Sequence, residues 1–419
     1  MASSSPDWTE LAEHNERLAA PSDSRPGAAV PGGAGGPGGT PARVRAMARA
    51  GWRPGSRRAT VAATGSLALA GAALAGLATG PAQASPHAVP AAASWKIVKT
   101  VHGSDAPAFT AVTASGPSSA WAFEAASFGS AKPTAWRLAG SSWTSVPFPG
   151  RSGQQVVAAG SSAAANVWAI MSNGTRSHAV RWNGSSWSAA GAIAADVDDV
   201  VVVSSHNVWA FGSPFIPGHT GAWHFNGHSW KHVVSGHGLS GGSALSAHSI
   251  WAFGAASVAH WDGHSWSRTS VASLLPASTT LSHSFLTGIY AKSSASVWAI
   301  GTGGRQDEGG PAVVLHFNGT HWSRVALDSS ASTPGLAQVI PDGSGGLWIP
   351  VPSTDGIPFK MLRYSGGHLR AVTVPRSGRR LNVTAVAAMP GTARALGAGA
   401  THKKNELGTR QAAVILEFR

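Results

Sequence analysis

A repeating pair of motifs constrains this chain more than any other feature of its sequence. The first motif is a Val/Ile-Trp-Ala-Phe/Ile run, and the second is an aromatic-Asn/Asp-Gly-x-x-Trp run; both occur within residues 249–271. A period of 40 to 50 residues is typical of the four-stranded blades of a β-propeller. The first tryptophan recurs at spacings of 47, 41, 42, 47 and 50 residues, as Trp121, Trp168, Trp209, Trp251, Trp298 and Trp348.

Each repeat divides into four strands. An apolar strand, such as residues 109–114, precedes the first tryptophan, which lies in the second strand. The third strand alternates as a half-buried strand does. It ends at an Asn-Gly or Asp-Gly pair, for which we predict a type I′ hairpin turn, and the second tryptophan follows in the fourth strand. In the first six repeats, one polar position of the third strand is basic or histidine: Arg137, Arg181, His224, His260, His316 and Arg363.

The two ends of the repeat region predict how a ring would close. The sixth unit is degenerate, and the seventh, which starts at Asn382, stops after its third strand. Residues 94–98 read Ser-Trp-Lys-Ile-Val, which is the missing fourth strand. We therefore predict an all-β, seven-bladed β-propeller of four-stranded blades over residues 94–419. An N-terminal strand completes its last blade and leaves no open edge.

The first 93 residues have a different composition. Residues 1–46 are rich in Ala, Gly and Pro, which predicts a disordered extension, although Met47 is an equally good translation start. Residues 47–84 combine a basic region, an Ala/Leu/Gly segment and Ala82-Gln83-Ala84, so they predict a cleaved signal peptide, followed by a linker at residues 85–93. Arg57 and Arg58 leave the Sec and twin-arginine routes open, and an uncleaved anchor is the alternative to cleavage.

Charge and cysteine usage narrow the class of partner. The chain has no cysteine, so an exported form must be stable without disulfides. From residue 85 onward, 23 Lys and Arg stand against 13 Asp and Glu, which favours an anionic partner such as an acidic polysaccharide, a cell-wall polymer or lipid headgroups. Nearly every tryptophan belongs to the repeat, so the interleaved basic and aromatic pattern of a nucleic-acid binder is missing and we expect no such partner.

Loops at one end of the propeller supply the candidate ligand-binding residues. Because strands alternate in direction, the fourth-to-first and second-to-third connections share that end, and they vary most among the repeats. Solvated loop charges that aid solubility are the alternative interpretation. Six basic residues of the last two units form the candidate ligand-binding set: Arg376, Arg379, Arg380, Lys403, Lys404 and Arg410.

Histidines and aspartates give no clear metal site. Ten of the 17 histidines after residue 84 lie between His206 and His283, but several of them occupy repeat positions, as His224 and His260 do on the third strand. His228 and His264, for example, take the place that Ser or Thr fills after other turn glycines, so we predict no metal and no cofactor. The triplet Asp196, Asp198 and Asp199 offers oxygen ligands for calcium, with a hydrogen-bonded rim as the alternative.

Candidates for contacts with a ligand ring, or for catalysis, are few. Repeat tryptophans are expected in the core. Glycosidases need paired carboxylates, and the glutamates at or beside variable loops are Glu124, Glu308 and Glu406, so we expect no enzyme activity and keep a glycan-cleaving enzyme as the third hypothesis. Four aromatic residues outside the repeat are ligand candidates or core residues: Phe128, Phe215, Phe359 and Tyr290.

The Val-Trp-Ala-x repeat with Trp-Asn/Asp-Gly-x-x-Trp resembles the propeller repeats of secreted actinobacterial proteins over residues 94–419, and it is similar to tectonin-type lectin repeats. The resemblance implies a propeller that binds glycans or envelope polymers without catalysis. We therefore expect a monomeric, secreted or cell-envelope-associated, carbohydrate-binding module with no membrane span in its mature form. A structural or protein-interaction scaffold in the envelope is the alternative.

Overall fold

The structure is a computed structural model of the chain. It describes residues 93–103, 107–125, 131–213, 219–234, 238–278, 284–303, 310–327, 332–333, 338–351, 359–375, 380–403 and 406–419. At positions 234, 310, 332, 333, 403 and 406–411 it describes the backbone alone. The predicted extension, the predicted signal peptide and residues 85–92 of the linker lie outside the described residues. Across the described segments, no helix has the length and apolar character needed to cross a membrane.

Seven antiparallel sheets succeed one another along the chain, and in each the strands lie side by side in the order of a propeller blade. The strand β1 (Trp95–His102) precedes blade 1, which comprises β2 (Ala108–Gly116), β3 (Ser119–Ala125), β4 (Thr134–Ala139) and β5 (Ser142–Val146). Blade 2 comprises β6 (Gln155–Ala163), β7 (Asn166–Ser172), β8 (Ser177–Trp182) and β9 (Trp187–Ile193). Blade 3 comprises β10 (Val197–Ser204), β11 (Asn207–Gly212), β12 (Ala222–Phe225) and β13 (Trp230–Val234).

Blade 4 comprises β14 (Gly241–Ser246), β15 (Ser249–Phe253), β16 (Ser257–Trp261) and β17 (Trp266–Ser270), followed by a 3-10 turn at Ala272–Leu274. Blade 5 comprises β18 (Ser284–Ser293), β19 (Ser296–Gly303), β20 (Gly310–Phe317) and β21 (Trp322–Arg324), and β22 (Ser332–Thr333) also pairs with β20. Blade 6 comprises β23 (Ile340–Pro341), β24 (Leu347–Val351), β25 (Lys360–Ser365) and β26 (His368–Val372). Blade 7 comprises β27 (Arg380–Ala388), β28 (Ala395–Lys403) and β29 (Glu406–Phe418).

The first and last blades are joined as the sequence predicts. β1 pairs with β29 from Trp95 opposite Phe418 to His102 opposite Ala412, so blade 7 has the strand order β27-β28-β29-β1. Arg394 adds a second link, because its guanidinium donates to Glu417 of blade 7 and, at 2.8 Å, to the carbonyl of Pro117 in blade 1. The predicted seven blades and their N-terminal closure are confirmed.

The repeat tryptophans fill the spaces between blades. In six blades, the second-strand tryptophan packs against an aromatic ring on the third strand of the next blade. Burial of an indole removes a large apolar area from water, and the tilted or edge-on ring geometry adds to it. The ring centroids lie 4.6–5.2 Å apart in Trp121–Trp182, Trp168–Phe225, Trp209–Trp261, Trp251–Phe317, Trp298–Tyr364 and Trp348–Phe418.

The predicted polar position of the third strand lies directly opposite the tryptophan of the second strand. His224, for example, is the Cα partner of Trp209, and its ring stacks on the indole at 4.5 Å. Burial lowers the pKa of this imidazole and favours its neutral form. Arginine occupies the same position in other blades; the Arg363 guanidinium, for example, lies 5.4 Å from the Trp348 ring centroid. The remaining pairs in this register are Trp121–Arg137, Trp168–Arg181, Trp251–His260 and Trp298–His316.

The Asn-Gly turns differ from the sequence-based prediction. Trp182 is opposite Trp187, so the loop between the strands has four residues and is not a two-residue type I′ turn. The side-chain oxygen of Asn183 accepts the backbone N–H groups of Ser185 and Ser186 at 2.9 and 3.0 Å. Gly184 takes a positive φ of 106°. The asparagine side chain thus accepts backbone hydrogen bonds within the loop and stabilises it as an Asx turn.

Deleting residues 85–103 should lower the melting temperature far more than deleting residues 1–84, because only the first deletion removes β1. The substitution Trp95→Ala should by itself lower the free energy of unfolding by about 3–5 kcal/mol, since this ring is 3% exposed and contacts Trp348 and Phe418. Circular dichroism melts of the variants measure both effects. Val233→Ala, at a residue that is 45% exposed, is the control. Equal melting temperatures for the two truncations would contradict closure by β1.

Candidate functional site

The two ends of the propeller differ in the connections they carry. We call the end with the second-to-third-strand and blade-to-blade connections the loop end, and the opposite end, with the remaining turns, the turn end. The basic cluster, defined as Arg376, Arg379, Arg380, Lys403, Lys404 and Arg410, belongs to connections and strand ends of the loop end. Arg376, Arg379 and Lys404 lie outside the described residues, and Lys403 and Arg410 are described by their backbone alone.

Strand pairing brings part of the basic cluster together. Arg380 begins β27 and is the Cα partner of His402 in β28, which in turn is the partner of Arg410 in β29. Three residues that are far apart in the sequence are therefore adjacent across three strands. The Arg380 side chain is half-buried, and His402 is 4% exposed. Lys403, next along β28, is opposite Glu406, so one acid stands at the edge of the cluster.

The loop end also carries an acidic group in blade 3. Asp196 accepts a hydrogen bond from the Ser172 hydroxyl, and its own backbone N–H donates to Nδ1 of His219 at 2.9 Å. Asp199 accepts the N–H of Val200 at 2.8 Å and that of Gly242, in the first strand of blade 4, at 2.9 Å. These bonds match the hydrogen-bonded rim that was one interpretation of the triplet. Among the described residues, no group of three or more His, Asp and Glu is arranged to hold a metal ion.

Two of these aspartates have strongly shifted acidities. Loss of solvent raises the pKa of Asp198 from 3.8 to about 6, and the neighbouring Asp196 and Asp199 carboxylates add to the shift, against a hydrogen bond from Ser213. Burial likewise raises the pKa of Asp199 to about 6, although its two backbone hydrogen bonds favour the ionised form. Blade 3 thus holds two carboxyl groups that change charge close to neutral pH.

Glu124 lies at the end of β3 in an arrangement that the sequence did not reveal. Its Oε2 accepts the indole N–H of Trp136 at 2.7 Å, and Nζ of Lys99 lies 4.2 Å from the centre of the same ring. Burial raises the pKa of Glu124, while the Trp136 hydrogen bond and the Lys99 charge lower it. The carboxylate therefore has partners from β4 and from the closing strand β1. Of the other glutamates weighed for catalysis, Glu308 and the side chain of Glu406 are not described.

The off-repeat aromatics divide between core and undescribed positions. Phe359 is 6% exposed and belongs to the core between blades 6 and 7, and Tyr290 is half-buried against the core between blades 5 and 6. Phe128 and Phe215 lie outside the described residues. Sequence reasoning missed Trp136 and Trp223, which stand one place before the polar position of the third strand. The signal was available, because most other blades have an aliphatic residue there: Val180, Ala259, Leu315 and Leu362.

Comparisons with known proteins bear on the fold. No protein-family model matches the sequence, and neither does any curated protein. The structure of YCF48 bound to D1 peptide is 10% identical, covers 77% of this chain and 96% of its own, and superposes with a TM-score of 0.51. This chain is a β-propeller. Its neighbours include the WD40 propeller domain of Doa1, at 10% identity over 78% of this chain and 97% of that one, with a TM-score of 0.50.

A third similar structure is an enzyme. The Niastella koreensis GH74 enzyme is 13% identical, covers 76% of this chain and 55% of its own, and has a TM-score of 0.50. At such identities the likeness extends to the fold alone. Propellers of this architecture therefore include both binding proteins and a catalyst, and the fold by itself favours neither.

The carboxyl pair of blade 3 gives a testable pH dependence. The folded pKa of Asp198 is above its ordinary value, so its contribution to stability is fully present below about pH 4 and is lost as the pH rises through about 6. Asp198 is exposed, so solvent screening limits the effect. Asp198→Asn cannot ionise, so the variant should melt about 1 °C above the wild type at pH 7.5 and show no advantage at pH 4.

Thermal melts of both proteins between pH 4 and 8 provide the measurement. Asp262→Asn is the matched control, because blades 2, 3 and 5 already have asparagine at this turn position, and its effect should stay small throughout. A variant at Asp198 that is less stable than the wild type at pH 7.5, but not at pH 4, would contradict this prediction and mean that the carboxylate is needed in its charged form.

Proposed function

We propose that this protein is an exported, non-catalytic binding module for glycans or anionic cell-envelope polymers, and that it holds them through the basic cluster of its last blade. The observation that carries the proposal is the register of Arg380 and Arg410, which both pair with His402 and so lie on either side of one strand at the loop end. A rigid sheet that presents neighbouring cationic groups is suited to a polymer with regularly spaced negative charges. Export by the predicted signal peptide at residues 47–84 is part of the same proposal.

The charge distribution supports an anionic partner. Positive residues outnumber negative ones by 23 to 13 from residue 85 onward. The described acids of the loop end lie mostly in blades 1 and 3, where Glu124, Asp196 and Asp199 already accept hydrogen bonds from the protein. We therefore propose that the anionic partner binds at the last blade, where the six residues of the basic cluster fall within residues 376–410. Attraction between such a surface and a polyanion extends over about one Debye length, roughly 10 Å at 0.1 M salt.

Buried tryptophans argue for recognition by charge over recognition by ring stacking. None of the tryptophans in the described residues is exposed; each is buried or half-buried. The face of Trp136 is covered by Lys99, and that of Trp223 by His232, whose ring stacks on it at 4.5 Å. A sugar needs an open aromatic face to stack upon. We therefore propose that ionic contacts dominate binding and that affinity falls as salt rises.

Neutralising the basic cluster tests the proposal. We expect Arg379→Gln, Arg380→Gln, Lys403→Gln and Lys404→Gln together to weaken binding of an anionic cell-wall polymer by about tenfold or more, which is about 1.4 kcal/mol. Surface plasmon resonance with the full chain, at low and moderate salt, measures the loss. The control carries the same number of charge removals on exposed fourth-strand residues: Lys231→Gln, Arg268→Gln, Arg324→Gln and Arg370→Gln.

Four outcomes distinguish the hypotheses. Loss in the first variant but not in the control, with the polymer left intact, supports the binding module. Equal loss in both variants means that net charge alone attracts the polymer and that the cluster is no site. Released fragments would identify an enzyme, and silence toward every polymer, together with capture of a defined protein partner, would identify a scaffold.

A further inference from the structure

Blades 3 and 4 carry histidines at two turn positions where their neighbours carry small residues. The turn between the first and second strands ends with His206 in blade 3 and His248 in blade 4. The loop between the third and fourth strands has His228 and His264 after its glycine. Blades 2 and 5 have small residues at both places: Ala165 with Ser185, and Ala295 with Thr320. Both positions therefore change together, in the same two blades.

At the turn end, the fold places the first histidine of each blade against the glycine that precedes the second. The His206 ring lies over Gly227 so closely that a Cβ on this glycine would be 2.8 Å from Cδ2 of the ring. In blade 4, a Cβ on Gly263 would be 2.5 Å from Cδ2 of His248. The same contact in blades 2 and 5 is made by the Cβ atoms of Ala165 and Ala295. Since His228 and His264 directly follow these glycines, each blade gathers two imidazoles from adjoining backbone positions.

All four imidazoles are accessible, and the local bonding leaves a nitrogen available on His206. His206, His228, His248 and His264 are all exposed. The Ser205 hydroxyl forms a hydrogen bond with Nδ1 of His206 at 2.8 Å, so Nε2 is the nitrogen left for a ligand. Metal-binding histidines commonly have their second ring nitrogen fixed in this way, which orients the ring and its donor atom.

The loops that present these residues are held by other groups. The side-chain oxygen of Asn226 accepts the N–H of His228 at 3.1 Å, and Asp262 accepts the N–H of His264 at 2.8 Å. Both loops therefore have a fixed backbone that does not depend on the imidazoles. Two donors on fixed backbones lose little freedom when they bind a common ion, so chelation is favoured.

We propose that the pairs His206–His228 and His248–His264 each bind one divalent transition-metal ion of the kind that imidazole prefers, such as Zn²⁺, Cu²⁺ or Ni²⁺. With two protein ligands for each ion, the remaining coordination positions are open to water or to a donor from a partner molecule. The sites lie at the turn end, in blades 3 and 4, so the inference stands apart from the proposed function of the last blade. A bound ion joins two turns of one blade and stabilises the folded state by mass action.

Titration of the full chain with Zn²⁺ at pH 7.5, on protein purified without a histidine tag, tests the sites. Isothermal calorimetry should show two equivalents for the wild type. His206→Ala with His228→Ser and, separately, His248→Ala with His264→Ser should each leave one equivalent, and all four changes together should leave none of this affinity. Ala and Ser are the residues that blade 2 has at these places, so the variants keep a turn that the chain already forms.

A test for chelation separates a paired site from isolated surface imidazoles. His206→Ala alone and His228→Ser alone should each weaken the blade 3 site by about tenfold or more, and the two changes together should do little further harm. His321→Ala removes an exposed histidine of blade 5 and should leave both equivalents in place. Visible absorption of bound Cu²⁺ should likewise fall by half with each paired variant.

The melting temperature reports whether Zn²⁺ binds the folded protein. Saturating Zn²⁺ should raise the melting temperature of the wild type and of the His321→Ala variant, but not that of the fourfold variant, whose own melt in the absence of metal should match the wild type. The proposal is overturned if the wild type shows no saturable binding. It is also overturned if the paired variants retain two equivalents, since the ions would then lie elsewhere.

Discussion

The rest of the propeller depends on one contact: the tryptophan of one blade packs against rings on the third and fourth strands of the next blade. Trp121, for instance, touches both Trp182 and Trp187 of the following blade. In blades 1 to 6 this indole packs against the following blade, so the chain of contacts is complete only in a closed ring. Blade 7 has Leu396 at this position, where it packs in one core with Leu138 and Trp143 of blade 1. Without cysteines, these contacts and the β1–β29 pairing carry the closure.

Many basic residues and histidines of this chain have a structural role, because they lie opposite the second-strand tryptophan within its own blade. In blade 2, Asn166 accepts hydrogen bonds from Trp168 Nε1 at 3.0 Å and from Arg181 Nε at 2.9 Å, so indole and guanidinium share one anchor. Blade 7 reverses the charges, since Glu417 is opposite Leu396 and receives a hydrogen bond from Arg394 at 2.6 Å. Charges used in this way neutralise one another or cover a ring. Only charges outside this framework are free to meet a ligand.

The parts of the fold that follow from periodicity could be predicted from the sequence, and those that depend on contacts between distant loops could not. Blade number, closure by residues 94–98 and the polar position opposite each tryptophan are repeated features, so each instance reinforces the others. The prediction of type I′ turns was wrong, because the side chain of Asn183 also takes part in closing the loop. Burial raises the pKa of Asp199, and the backbone N–H of Gly242 from the next blade opposes that shift; neither can be read from the local sequence. The approach of His206 to Gly227 likewise joins residues that the sequence separates. The basic cluster stays a prediction, because three of its six residues lie outside the described part of the chain.

The Asx loops of the turn end show how this fold separates stability from chemistry. Asn226 and Asp262 hold their loops through the backbone N–H groups that follow. In blades 2 and 5 the hydroxyl after the glycine, that of Ser185 or Thr320, adds a hydrogen bond to the asparagine oxygen of its own loop. The position that covers the glycine is similarly tolerant, since alanine and histidine both fit there. Substitutions at these two positions leave the tryptophan contacts between blades untouched, because those contacts lie on the strands. The turn end can therefore acquire donor groups in selected blades at little cost to the ring. The strand position that stacks on tryptophan needs a side chain that covers the indole face, and only histidine or arginine stands there in the first six blades.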